Sequence, residues 1–147
     1  MRVLVAALVV AGLVSSAASW HLRAQGASSQ PAPQSYTFPS GAGLLFFYVK
    51  PDHTADFEAV IKRLGDVLTA SQDPVRQQQA ASWRMFRSVE THSDRIYVFM
   101  FDPAVAGADY DPVKILNDGL PAEVQDLYAK LKGAIVKVER MGLDRLR

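Results

Sequence analysis

Two histidines follow the first two dozen residues, and each carries the one side chain able to act as a base or metal ligand near neutral pH. His53 falls just after an apolar stretch that ends at Val49, where a turn could open onto the mouth of a barrel. His92 sits in a polar break, Thr91-His92-Ser93-Asp94. Nothing in the spacing supplies either with a partner, so the competing reading of each is a solvated turn residue. His53 and Trp83 are the catalytic candidates. Asp102, Asp109 and Asp111 gather around one loop, as ligands of a hard cation would. Their spacing matches no calcium loop, however; Asp111-Pro112 has the form of a helix cap, and Asp102-Pro103 that of a strand stop. No metal site is expected. Phe46, Tyr48, Trp83, Tyr97 and Phe99 could wall a cavity for a flat apolar or aromatic ligand, or pack as ordinary core. Arg84 and Arg87 could hold an anionic group, or serve as edge-strand charges.

The chain has no cysteine, which removes thiolate nucleophiles, zinc ribbons, iron–sulfur ligands and disulfides. No GxSxG, HExxH, P-loop or GxGxxG is present, so no catalytic class is marked and no cofactor is expected.

The elements that must position these residues are legible in the periodicity. Leu44 to Val49 is a six-residue apolar and aromatic run of strand length. Thr54 is placed to cap a helix in which Phe57, Val60, Ile61, Leu64, Val67 and Leu68 form one face. Asp73-Pro74 opens a short helical turn through Gln79. Ala81 to Glu90 reads as a strand with Trp83, Met85, Arg87 and Val89 on one side. After the break at Thr91–Asp94, Ile96 to Phe101 is a second unbroken apolar strand. Asp111-Pro112 starts a helical piece through Leu116. Pro121 opens a better helix with Val124, Leu127, Tyr128 and Leu131 buried and Gly133 as its C-cap. Ala134 to Glu139 closes as a strand. The order β-α-β-β-α-β is the ferredoxin-like split βαβ arrangement, an α+β fold with both helices on one face of an antiparallel sheet.

A sheet with one solvated face alternates apolar and polar residues. Leu44–Val49 and Ile96–Phe101 do not. Whichever parity faces the helices, several large side chains remain on the other side, and leaving them bare forfeits on the order of 10 kcal/mol. A patch of that size is rare on a monomer. The expected cover is a second copy of the sheet, giving a homodimer through the helix-free face.

The strand GLLFFYVKPD leading into DFEAVIKRLGDVL, followed by RIYVFMFDP, resembles the dimeric α/β-barrel superfamily, which includes the antibiotic-biosynthesis-type monooxygenases. The chain also resembles small exported bacterial proteins without an assigned activity. The resemblance covers Gly43 to about Gly142 and implies a dimeric barrel. It leaves two functions open: a domain that binds a small apolar or aromatic ligand or serves as an assembly module, and a cofactor-independent monooxygenase acting on an aromatic substrate. The haem-degrading members use an Asn/Trp/His constellation; the one asparagine here, Asn117, lies in the second helical region rather than the first strand.

The flanks give location. Met1-Arg2 precedes the apolar run Val3–Val14 and the small residues Ser15–Ser19, the pattern of a secretory signal peptide cut after Ala18 or Ala24. The run is short for a membrane span, so export to the periplasm or medium is expected, with an N-terminal membrane anchor as the alternative. Residues 25–41, QGASSQPAPQSYTFPSG, read as a flexible tether, and 42–147 as the folded domain. From Gln25 onward 14 basic residues face 15 acidic ones (Arg2 and Arg23 account for the other two of 16), so neither nucleic acid nor acidic lipid is implied as a partner.

Overall fold

The first strand lies at the centre of the pairing, with a neighbour on each side. In the computed structural model, which describes residues 35–39, 41–90 and 92–146, β1 (Ala42–Val49) pairs antiparallel with β3 (Arg95–Phe101) on one side and with β4 (Ile135–Leu143) on the other. β2 (Trp83–Arg87) pairs antiparallel with β3, and the sheet order is β2-β3-β1-β4. Four helices complete an α+β architecture: α1 (Thr54–Ala70), α2 (Pro74–Ser82), α3 (Pro112–Gly119) and α4 (Val124–Ala134). The arrangement is compatible with a ferredoxin-like fold. The expected leader and the tether up to residue 34 lie outside the described residues.

One parity of the sheet builds the core. Leu45, Phe47 and Val49 on β1 and Tyr97, Phe99 and Phe101 on β3 are buried against Phe57, Val60 and Leu64 of α1, Ile115 and Leu116 of α3, and Val124, Leu127 and Leu131 of α4. The stripe on α1 is the 3.6-residue periodicity put to use. Phe38 also belongs here. It lies within the expected tether, yet it is 3% exposed and its ring centroid is 5.3 Å from Phe101 and 5.7 Å from Tyr110. The backbone is tied down as well, for the Tyr110 amide donates to Tyr36 O at 3.2 Å. Gly43 makes this possible, since a Cβ there would overlap the Phe38 ring. The packed domain therefore begins before Ala42: a buried aromatic offsets the ordering cost that a polar segment could not.

Several boundaries differ from the periodicity, each for a local reason. Asp73 caps α2 by accepting from the Val75 and Arg76 amides at 2.7 and 3.2 Å. The good helix formers that follow carry it through Ser82, taking Ala81 and Ser82 from the expected strand. β2 correspondingly runs only to Arg87, and Val89 is 98% exposed. Thr54 does not cap α1. A 3-10 turn over Pro51–His53 precedes the helix, and Thr54 Oγ1 donates to Pro51 O at 3.2 Å, leaving His53 at the cap position. α3 extends to Gly119, and α4 starts at Val124 after a turn over residues 121–123. Gly133 is not a C-cap. Carbonyls at the end of α4 are taken up by β1's exit instead: Lys50 N donates to Ala134 O at 3.0 Å and Lys50 Nζ to Gly133 O at 2.7 Å. With those acceptors satisfied the chain turns straight into β4, which stays paired with β1 as far as Leu143.

Candidate functional site

Sheet register decides which candidate residues can meet. Trp83 pairs with Phe101, which pairs with Gly43 at the start of β1; the opposite end of β1, Val49, pairs with Arg95. His53 follows that far end. Six residues of strand, about 20 Å at 3.4 Å per residue, therefore separate the ends holding Trp83 and His53, so the two catalytic candidates do not share a site. His53 Nδ1 lies 3.4 Å from Asp56 Oδ2 and its Nε2 3.9 Å from Asp52, a local arrangement at the helix start. His92 is exposed beside Glu90 at 3.3 Å.

Trp83 is core. Its ring lies 5.0 Å from Phe101, 5.5 Å from Phe99 and 5.8 Å from Tyr110, and its buried Nε1 has no hydrogen-bond partner. The five aromatic ligand candidates are divided by the sheet. Trp83, Tyr97 and Phe99 are on the helix-bearing side, whereas Phe46 and Tyr48 have the opposite parity. No single cavity can be walled by all five. Tyr48 instead donates to Glu139 Oε2 at 2.8 Å beneath Lys137 Nζ, 4.3 Å from its ring centroid; the hydrogen bond to Glu139 raises the Tyr48 hydroxyl's pKa.

The three acids are each in structural use. Asp102 bonds Arg145, Asp111 caps α3 by accepting from Val113 N at 2.9 Å, and Asp109 takes Lys114 together with the Tyr36 and Asp111 amides. Burial acts to raise the Asp109 pKa, but Lys114 and the two amides outweigh it and hold it below the ordinary carboxylate value. Arg84 is spent on the Ala81 and Trp83 carbonyls at 2.9 and 3.1 Å.

Chemistry gathers at the edge formed by α1, β2 and β3. Arg87 and Tyr97 are cross-strand neighbours, and Glu58 projects from α1 between them. Tyr97 Oη donates to Glu58 Oε1 at 2.6 Å, and Arg87 Nη1 donates to the same oxygen at 3.0 Å. The Tyr97 hydrogen bond, with Arg87 adding to it, holds Glu58 below its usual value despite partial burial. Burial and then the bond to Glu58 push the Tyr97 hydroxyl up to about 12. This trio is a neutral phenol, a carboxylate and a guanidinium at neutral pH, suited to hold polar atoms in place. Two hollows meet here, both lined by Arg87 and Tyr97: a mainly apolar one of about 190 Å³ with Glu58, Ile61, Met85 and Phe86, and a polar one of about 410 Å³ with Thr54, Ser88 and Arg95. Sequence alone marks Arg87 and Tyr97 separately; Glu58 reads only as a helix-start charge, because nothing linear links positions 39 residues apart.

A larger open hollow of about 530 Å³ lies between α1, α2 and α3, with Val67, Ile115 and Leu120 in its lining. Its charges are matched, with Arg76 on Asp118 at 2.6 Å and Arg63 on Glu123 at 2.7 Å.

The opposite side of the sheet carries Leu44, Phe46 and Tyr48 from β1 and Ile96, Val98 and Met100 from β3, in register as Leu44–Met100, Phe46–Val98 and Tyr48–Ile96. Phe86 continues the Val98 row at 53% exposure and Met141 the Leu44 row at 50%. None of the six central residues belongs to the core cluster or to the residues packed against it. Residues 35–39, whose Phe38 packs on the other side, do not roof the face. No described helix is long and apolar enough to cross a membrane. Comparison of the chain with family models, curated proteins and solved structures found no match.

Proposed function

We propose that the chain is an exported homodimeric domain in which two copies pack their helix-free sheet faces together as a dimeric α/β barrel. The observation that carries this reading is the contiguous field of Leu44, Phe46, Tyr48, Ile96, Val98 and Met100 outside the core. Four strands about 4.8 Å apart and about seven residues long span a plane of roughly 450 Å². Side-chain relief, with Phe86 and Met141 standing proud on the outer strands, brings the true surface above this plane and toward the roughly 800 Å² per partner of a standard interface. The field is apolar at its centre, with Arg84, Lys137 and Glu139 at the flanking strands, the layout of an interface core and rim. A dimer so formed is an assembly module, its helix-bearing sides turned outward. The packing of Phe47, Phe57, Tyr97 and Phe99 into one solid aromatic cluster, with neighbouring centroids 4.6–5.6 Å apart, supports a structural role for that interior rather than oxygenation within it.

Native mass spectrometry of protein recovered from the exporting cell tests both halves of the proposal. The expected species is a dimer of chains beginning at Ser19 or Gln25, and Val98→Arg, which places a charge at the centre of the field, is expected to give a folded monomer. A wild-type chain that stays monomeric at tens of micromolar overturns the dimer. Retention of the full N-terminus overturns cleavage.

A further inference from the structure

The joined hollows at the α1–β2–β3 edge have one apolar half and one cationic half. The apolar half exists because α2 runs directly into β2 and leaves this stretch uncovered: Met85, in register with the fully buried Phe99, is 47% exposed. Its volume of about 190 Å³ exceeds the roughly 150 Å³ that holds a benzene molecule in an apolar cavity. In the polar half, Arg87 is already matched to Glu58, whereas Arg95 makes no ion pair or side-chain hydrogen bond among the described residues. One cation in excess remains beside the hydroxyls of Thr54 and Ser88. Thr54 Oγ1 is committed to Pro51 O, while Ser88 Oγ accepts from Glu90 N at 3.1 Å and keeps its own proton to give.

We propose that this groove binds a small aryl-alkanoic acid, with its single ring against Met85 and the edge of Ile61 and its carboxylate on Arg95 and Ser88. The charge balance selects a monoanion, since Arg87 and Arg95 against Glu58 leave one positive charge. The apolar half has room for a single ring. Tyr97 and Arg87 both donate to Glu58 Oε1, so the protein's own carboxylate is already engaged. The groove lies mainly on the helix-bearing side, with Phe86 of the opposite face at its rim.

Titration of the full-length protein with 3-phenylpropanoate, 3-phenylpropanamide and inorganic phosphate, followed by calorimetry and by NMR of the methionine methyl groups, tests it. Expected are saturable binding of the acid, at least about tenfold weaker binding of the amide because a charge-assisted contact is lost, no tighter binding of phosphate, and a shift of the Met85 methyl signal. Arg95→Gln is expected to bring the acid down to the affinity of the amide while leaving the amide unchanged. Equal affinity for acid and amide in the wild-type protein overturns the proposal, as does tighter binding of phosphate, absence of saturation by the acid, or undiminished acid binding by Arg95→Gln. The wild-type comparison stands even if the variant does not fold.

Discussion

Trp83 and Tyr97 face the same side of one sheet and treat their polar atoms in opposite ways. The Trp83 indole N–H is buried without a partner, so its ring is held by packing alone. Trp83→Phe keeps most of the contact and removes the orphan donor, and is expected to cost under about 1 kcal/mol; Trp83→Ala leaves a cavity and is expected to cost about 3–5 kcal/mol. Urea midpoints measure both, and equal losses would contradict a packing role. The Tyr97 hydroxyl is instead spent on Glu58. An acid whose folded value is raised contributes stability that is complete below the unfolded value of 10.0 and lost as pH climbs through about 12. Wild-type stability should therefore fall between pH 9 and 11 by more than that of Tyr97→Phe. Glu58 runs the other way: its lowered value means a contribution present above 4.5 and lost as pH drops through the folded value. Removing the phenol should weaken that acid-side dependence as well, which denaturation at pH 3 and 6 would reveal.

Helix junctions depend on contacts made by only one or two side chains. Gly119 ends α3 where a Cβ would overlap the Val67 side chain of α1. Alanine is normally better than glycine in a helix by roughly 0.5–1 kcal/mol, so the sign of Gly119→Ala is a direct measure of the crowding. Overpacking against stiff, β-branched Val67 should win, with a loss of about 1–3 kcal/mol. Val67→Ala combined with Gly119→Ala should recover part of it; additive losses in thermal melts would rule out that contact as the cause. The loop between β3 and α3 is held comparably. Gln79, wholly buried, accepts from Arg76 Nη1 at 2.8 Å and donates to Asp109 O at 3.1 Å, so α2 and the loop are joined by a buried polar link.

At the scale of the whole molecule, the two faces of the sheet are treated unequally by the same chain. α1, α3 and α4 bury one face, and Phe38 closes over Gly43 on that side as well. The other keeps six large apolar residues outside the core. Val98→Arg alters one central residue on the proposed dimer face, whereas Arg95→Gln alters the polar half of the groove. If assembly and binding are separate properties, the first variant should change mass without changing affinity for 3-phenylpropanoate, and the second should do the reverse. Light scattering and calorimetry on the two variants provide the comparison, and loss of both properties in either variant would tie the groove to the interface.

Periodicity alone determined the α+β class, the main strands and helices and the doubly apolar character of β1 and β3, because alternation of period 2 and stripes of period 3.6 are properties of the linear chain. The fate of Ala81, Ser82 and Gly133 was not visible in that way. Their assignment depended on a cap at Asp73 and on Lys50 reaching the end of α4 from 83 residues away. The candidate site was legible only in pieces. Arg87 and Tyr97 stand out as types, but parity splits the aromatic set, and Glu58 joins them only because α1 crosses the sheet beside β2 and β3. Which side chains share a surface is a matter of register and helix placement, and those are set by long-range packing that no local pattern encodes.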